Sequence, residues 1–227
     1  MSDWRGFCGA LVLVLALSVL SGCRDHNSWR QKLIVEVETP QGRVAGASVV
    51  QVESWFGQLP ASGNEVNHEV TGEATVVALG GGRFLFALLG GSVERFFYAL
   101  ENRSRNLGKD LDRIARMQGE SRVLKPENYP LMVTFADIND PASVARVDPD
   151  DLAASFGPGY ALSSITLAIT DEPVTKGRVE AVLGWMESVG RKQANLMGKP
   201  KHGLVSEQPD PAIYLISPSD FSTELYK

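Results

Sequence analysis

Residues 33–53 carry the pattern that most narrows what this chain can fold into. Leu33, Val35 and Val37 alternate with Ile34, Glu36 and Glu38, the period of two of a half-buried strand. Thr39-Pro40-Gln41-Gly42 reads as a turn. Val44 to Glu53 then returns as a second strand, with Val50 and Val52 on one face and Ala47 and Val49 on the other. Two such runs joined by a short turn predict an antiparallel hairpin with one face inward. Glu73 to Leu79 and Arg83 to Leu89 predict two more strands around Gly80-Gly81-Gly82. Without a following lysine and helix, that triplet suits a hairpin turn better than a phosphate loop. Trp55 to Gly63, with Gly57 and Pro60, reads as a loop, and Gly90-Gly91 closes a β-rich part spanning 31–91.

The pattern changes at Ser92. Val93, Phe96, Phe97, Leu100, Leu107, Leu111 and Ile114 recur at helical spacings, predicting one amphipathic helix or two broken near Gly108. Tyr129 to Phe135 and Leu162 to Ile169 read as strands. Asp140-Pro141 and Asp148-Pro149 look like helix starts, the second helix ending near Phe156 before Gly157. Lys176 to Val189 predicts a helix with Val179, Val182, Leu183 and Met186 inward. Residues 190–211 read as loop, and Ala212 to Ile216 as a last strand. The fold class expected is α+β: an N-terminal antiparallel β-sandwich-like part packed with a C-terminal α/β part over 92–227. The phrase VETPQGRVAGASVVQV resembles the opening hairpin of transthyretin-like and carboxypeptidase-regulatory β-sandwiches. Tyr129 to Met186 resembles a proteobacterial protein family without an assigned activity, which implies a bacterial origin.

The N-terminus reads MSDWRGFCGALVLVLALSVLSGC. Arg5 is its one basic side chain, and Phe7 to Leu20 is an apolar run broken only by small residues, as in a signal sequence. The run is shorter than the roughly 20 residues a spanning helix needs. Leu20-Ser21-Gly22-Cys23 resembles the lipobox of bacterial lipoproteins. That resemblance implies removal of residues 1–22, a diacylglycerol on the Cys23 thiol and palmitate-type acylation of the new amine. It implies a cell-envelope protein held to a membrane. Arg24 stands where an aspartate retains such proteins at the inner membrane, so the outer membrane, facing the periplasm, is expected. An ordinary cleaved secretory signal is the other reading. Residues 23–30 are polar and read as a lipidated tether.

The net charge is −5, and loss of Asp3 and Arg5 with the signal leaves it unchanged. An acidic balance argues against nucleic acid, whose phosphates are held by Lys and Arg. Of the two cysteines, Cys8 leaves with the signal, so neither an internal disulfide nor a cysteine metal site can form in the mature chain. No G-x-S-x-G or S-x-x-K motif occurs, and only His68 could orient a serine from within the domain. His68-Glu69 opens like H-E-x-x-H, but Gly72 occupies the second histidine's place. Neither a metal nor a cofactor is expected, and no catalytic residue is assigned.

Two candidate sites remain. Asp137, Asn139 and Asp140, followed by Asp148, Asp150 and Asp151 and later Asp171 and Glu172, supply hard oxygen donors suited to an ion or to acid catalysis. The same aspartates suit helix caps. Trp55 and Phe56, in the expected loop, could contact a partner. Arg191, Lys192, Lys199 and Lys201 are basic without intervening acids and read as a solvated segment. The role expected is non-catalytic, binding or structural, toward another envelope protein or a polymer. A periplasmic hydrolase using carboxylates around Asp137 and Asp171, or a sugar- or ion-binding module, is the alternative.

Overall fold

The structure, a computed structural model, describes residues 26–59, 63–93, 95, 103–104, 106–189, 195–200 and 204–224. Cys23, the apolar run before it and the basic pair Arg191 and Lys192 lie outside the described residues. The described chain is β-rich, with two antiparallel sheets and a few short helices.

Strand β1 (His26–Thr39) sits at the middle of a five-stranded sheet. Every second side chain from Asn27 to Thr39 is buried. The expected tether is therefore corrected: His26 to Arg30 are strand, and Trp29 is only 4% exposed. Polar Asn27 and Gln31 on the inward face hid the start of the alternation. Strand β2 (Gly42–Leu59) pairs with β1 from Gly42 to Trp55 and with β3 (Gly63–Thr71) from Gln51 to Leu59. The loop expected at Trp55 is likewise corrected. Trp55 to Leu59 continue the strand, because β3 supplies the hydrogen-bonding partner that a local reading of Gly57 and Pro60 overlooks.

The second sheet has four strands: β4 (Thr75–Gly80), β5 (Arg83–Ala87), β7 (Met132–Phe135) and β8 (Val144–Arg146), in the order β4-β5-β7-β8. Gly81 and Gly82 link β4 to β5 with φ of 61° and 74°, the left-handed pair that a tight hairpin requires. Strands β6 (Ser121–Val123) and β9 (Ala161–Thr170) complete the first sheet, in the order β3-β2-β1-β9-β6. Both sheets thus take strands from both sides of Gly91, and the boundary expected there is not a boundary between sheets.

The sheets pack face to face. Leu33, Val35 and Val37 of β1, Val50 and Val52 of β2, and Ile165, Leu167 and Ile169 of β9 meet Val77, Leu79, Leu85 and Ala87 of the second sheet. At one point the backbones touch. A Cβ on Gly46 would lie 2.1 Å from the carbonyl oxygen of Val76, and beside it Ser48 and Thr75 join hydroxyls at 2.6 Å. The run Phe84-Leu85-Phe86-Ala87 is apolar on both faces because its strand is covered on both. The far side of Phe86 and Val133 is closed by Val179, Leu183, Met186, Ile216 and Phe221. Phe86 meets Phe135 and Phe221 edge-on, each at 5.6 Å.

The helices are shorter than the sequence pattern predicts. Of the stretch expected as helix from Ser92, residues 94, 96–102 and 105 lie outside the described residues; Arg103, Ser104 and Asn106 are not helical, and Asn106 caps α1 (Leu107–Ala115), which contains Gly108 and buries Leu111 and Ile114. Helix α2 (Leu152–Phe156) is capped by Asp151, which accepts from Ala154 N, and not by Asp148 three residues earlier. The helix expected over Lys176–Val189 is two, α3 (Arg178–Val182) and α4 (Met186–Val189), with Gly184 between. The strand expected at Ala212–Ile216 is a 3-10 turn over Pro211–Leu215, started by a proline that has no N–H to donate. No described helix is long and apolar enough to cross a membrane.

Candidate functional site

The most distinctive surface element is the end of the β2–β3 hairpin. Strand β1 begins at His26, opposite Trp55. Beyond that point the partner of β2 among the described residues is β3, through Phe56↔Val66, Gly57↔Glu65, Gln58↔Asn64 and Leu59↔Gly63. At a rise of about 3.4 Å per residue, Leu59, at the end of this β2–β3 arm, lies about 13 Å along the strand from Trp55, which faces the first described residue of β1. Trp55 lies at its base, half-buried, with its ring stacked on His26 at 6.2 Å and an interplanar angle of 20°. The Nε2 of His26 stands 3.5 Å from the Glu53 carboxylate. Phe56 is the next residue along the arm; its side chain lies outside the described residues.

The acidic residues are spread over different parts of the fold. Asp137 accepts from Asn139 N at 2.9 Å and from Asn139 Nδ2 at 3.3 Å. Asp140 accepts from Ala142 N at 2.9 Å and caps the 3-10 turn Pro141–Ser143. These bonds close the link between β7 and β8 in the four-stranded sheet. Asp171 follows β9 in the other sheet, and beside it Glu172 takes Lys32 in an ion pair at 2.7 Å. Asp148 accepts from Asp150 N at 2.9 Å. Among the described residues no group of three His, Cys, Asp or Glu is placed to hold a metal. His68 sits exposed on edge strand β3, opposite Ser54.

Sequence reasoning missed the polar groups inside the sandwich. Gln31, 2% exposed, accepts from Trp29 Nε1 at 3.1 Å and donates to the carbonyl of Ser92 at 2.6 Å. Arg95, 6% exposed, donates to the carbonyls of Leu88 and Gly90 and to Ser92 Oγ. With Ser48, Thr75 and Glu73 these side chains line a void of about 10 Å3, room for about one water molecule. Glu73 is fully buried and accepts from the backbone N–H groups of Arg178 and Val179 at 3.0 to 3.2 Å, holding the start of α3. Burial pushes its carboxyl above the usual range and Glu180 adds to this, while the backbone donors and Arg178 pull the other way. A wider, open hollow of about 290 Å3 lies where β1, β9 and the end of α1 meet, lined by Ser28, Arg30, Gln51, Gln118 and Thr170. Gln31 and Glu73 could be suspected only as polar residues inside otherwise apolar runs.

The chain matches no family model, no curated protein and no solved structure.

Proposed function

We propose that this protein is an envelope lipoprotein, anchored through lipid on Cys23, with a non-catalytic binding or structural role toward another envelope protein or a polymer. The reading places it at the outer membrane, facing the periplasm. The observation that carries it is the order Leu20-Ser21-Gly22-Cys23 directly after the apolar run Phe7–Leu20, and the described framework is already strand at His26, three residues on. A bilayer-bound framework suits a sandwich in which Asp137, Asp140, Asp151 and Glu172 are engaged in turns, caps and an ion pair. Two or three acyl chains hold far more firmly than one, since each buried CH2 adds about 0.8 kcal/mol.

The test is metabolic labelling with a palmitate analogue. Wild-type protein is expected to take the label and lose residues 1–22, and Cys23→Ser to remain unlabelled and unprocessed. Equal labelling of the two would end the reading. Co-purification from detergent-solubilised envelopes, with mass spectrometry, then identifies the partner.

A further inference from the structure

We infer that the hollow where β1, β9 and the end of α1 meet binds a sugar acid, a single hydroxylated ring carrying one carboxylate. The inference rests on the polymer half of the proposed role and gives that polymer its chemistry.

Strand register builds the hollow. Arg30 of β1 faces Gln51 of β2 on one side and Thr170 of β9 on the other. Its neighbours Trp29 and Gln31 point into the core, so the three side chains stand in a row on the outward face of the five-stranded sheet. At a strand spacing of about 4.8 Å the row spans about 10 Å. Ser28, two residues before Arg30, shares that face. After α1 the chain runs beside β9, with Gly119 N donating to Ile169 O and Ile169 N to Glu120 O, and this brings Gln118 to the far end of the row. The lining residues all belong to the described chain. The volume of about 290 Å3 stands at the lower end of the roughly 300–1,000 Å3 of ligand pockets, room for one small molecule.

The chemistry of the lining selects that molecule. Gln51 Nε2 donates to Ser28 Oγ at 2.6 Å and to Trp29 O at 3.1 Å. These bonds fix the amide and leave Gln51 Oε1 as an acceptor without a partner among the described residues. Gln118 is exposed and makes no hydrogen bond among them. Arg30 Nη1 donates to the carbonyl of Glu172 at 2.9 Å, and among the described residues the guanidinium meets no carboxylate. The acids on the adjoining segments are engaged elsewhere, Glu172 with Lys32 at 2.7 Å and Glu120 with Arg122 at 2.8 Å. The hollow therefore offers amides and hydroxyls around one guanidinium. Amides and hydroxyls donate and accept at once, as sugar hydroxyls do, and a guanidinium matches a carboxylate with two parallel bonds. A net charge of −5 repels a dense polyanion, so the polymer that fits carries its acid sugars sparsely and not at every unit.

The experiment uses the full processed protein in detergent micelles and two probes that differ only in the carboxylate, methyl β-glucuronide and methyl β-glucoside. Each mimics a polymer-linked unit, and saturation-transfer NMR over a concentration series reads its affinity. The glucuronide is expected to bind about five- to tenfold more tightly, the size of one charge-assisted pair at a solvent-open site. Arg30→Gln is expected to erase that preference, and Gln118→Ala to weaken both probes about threefold. Gln118→Ala decides the matter should Arg30→Gln, which also loses the bond to Glu172, fold poorly. The glucuronide preference, with these losses, supports the inference. No transfer to either probe, equal binding of the two, or binding unchanged in both variants overturns it. An envelope protein that co-purifies with wild type and is released by Gln118→Ala, with no transfer to either probe, overturns it too and gives the hollow to a protein. The mass of the Cys23 peptide from the same sample reports the anchor separately. Acylated protein that ignores the glucuronide overturns the sugar site and leaves the anchor standing; unacylated protein that binds it overturns the anchor and leaves the sugar site.

Discussion

Between Gly46 and Val52 strand β2 is closed in by the second sheet, whereas beyond Trp55 its partner among the described residues is β3. One hydrogen-bonded strand runs through both stretches. In the first, backbone meets backbone at Gly46, Ser48 is bonded across to Thr75, and Val50 and Val52 lie in the core. In the second, the described contacts are the pairs with β3, and cross-strand pairs contribute roughly 0.2–1 kcal/mol each. The difference teaches that the framework and its exposed arm can be altered separately. Changes in the first stretch should read out in stability, and changes in the second in what the protein touches.

The sharpest way to break the comparison is at Gly46. A methyl group there would sit 2.1 Å from Val76 O and 2.8 Å from Val76 C, backbone atoms that cannot swing aside. Gly46→Ala is expected to cost roughly 4 kcal/mol or to prevent folding, beyond ordinary overpacking. Urea denaturation measures it, and a loss under about 1 kcal/mol would mean that the sheets are not in such close contact.

Behind the second sheet, Phe86→Ala should cost about 3–4 kcal/mol, because the ring is fully buried between Phe135 and Phe221. The same denaturation series checks it, and a smaller cost would show that the layer behind the sheet can collapse onto the gap. Trp55→Ala, in the arm, should cost no more than about 1–2 kcal/mol, since the ring is half-buried and its described ring contact is the stack on His26. A midpoint shift as large as that of Phe86→Ala would make the arm part of the core.

The smallest effect is also the one with a pH signature. Glu73 titrates above its ordinary 4.5 in the folded protein, so folding is favoured by its protonated form. That contribution is complete below the unfolded pKa and is lost as pH rises through the raised folded value. Glu73→Gln cannot titrate and keeps one acceptor for the Arg178 and Val179 amides. Its stability relative to wild type should therefore improve as the pH rises from the acid range to neutrality. Midpoints of both proteins at the two pH values check this, and a change of opposite sign would mean that the amide donors outweigh burial.

Much of the framework was legible in the sequence where the signal is local. The alternation at Leu33–Val37, the glycine triplet at 80–82 and the strand at Leu162–Ile169 each mark their own element. What could not be read locally is which strands pair. The pairing of β1 with β9 joins residues more than a hundred positions apart, and β6 and β8, at three residues each, are too short to show a period. The inward Asn27 and Gln31 broke the expected hydrophobic pattern and turned the start of β1 into an expected tether. Gly57 and Pro60 made the arm look like a loop. At the acidic stretch Asp140 caps its turn as expected, whereas the capping residue of α2 is Asp151 and not Asp148, whose side chain accepts from Asp150 N in its own turn.

The clasp between Gly72–Ala74 and the end of the chain has a consequence for the order of events during synthesis. Ala74 N donates to Phe221 O, Leu89 N to Asp220 O, and Gly72 N to Thr223 Oγ1. A chain emerging N-terminus first holds β1 without its β9 neighbour until residue 161 follows, and this clasp open until residues 220–223 follow. Few of the closing contacts are local, and non-local closure is slow. Residues 220–223 are thus the latch that joins Gly72, Ala74 and Leu89 and shuts the sandwich.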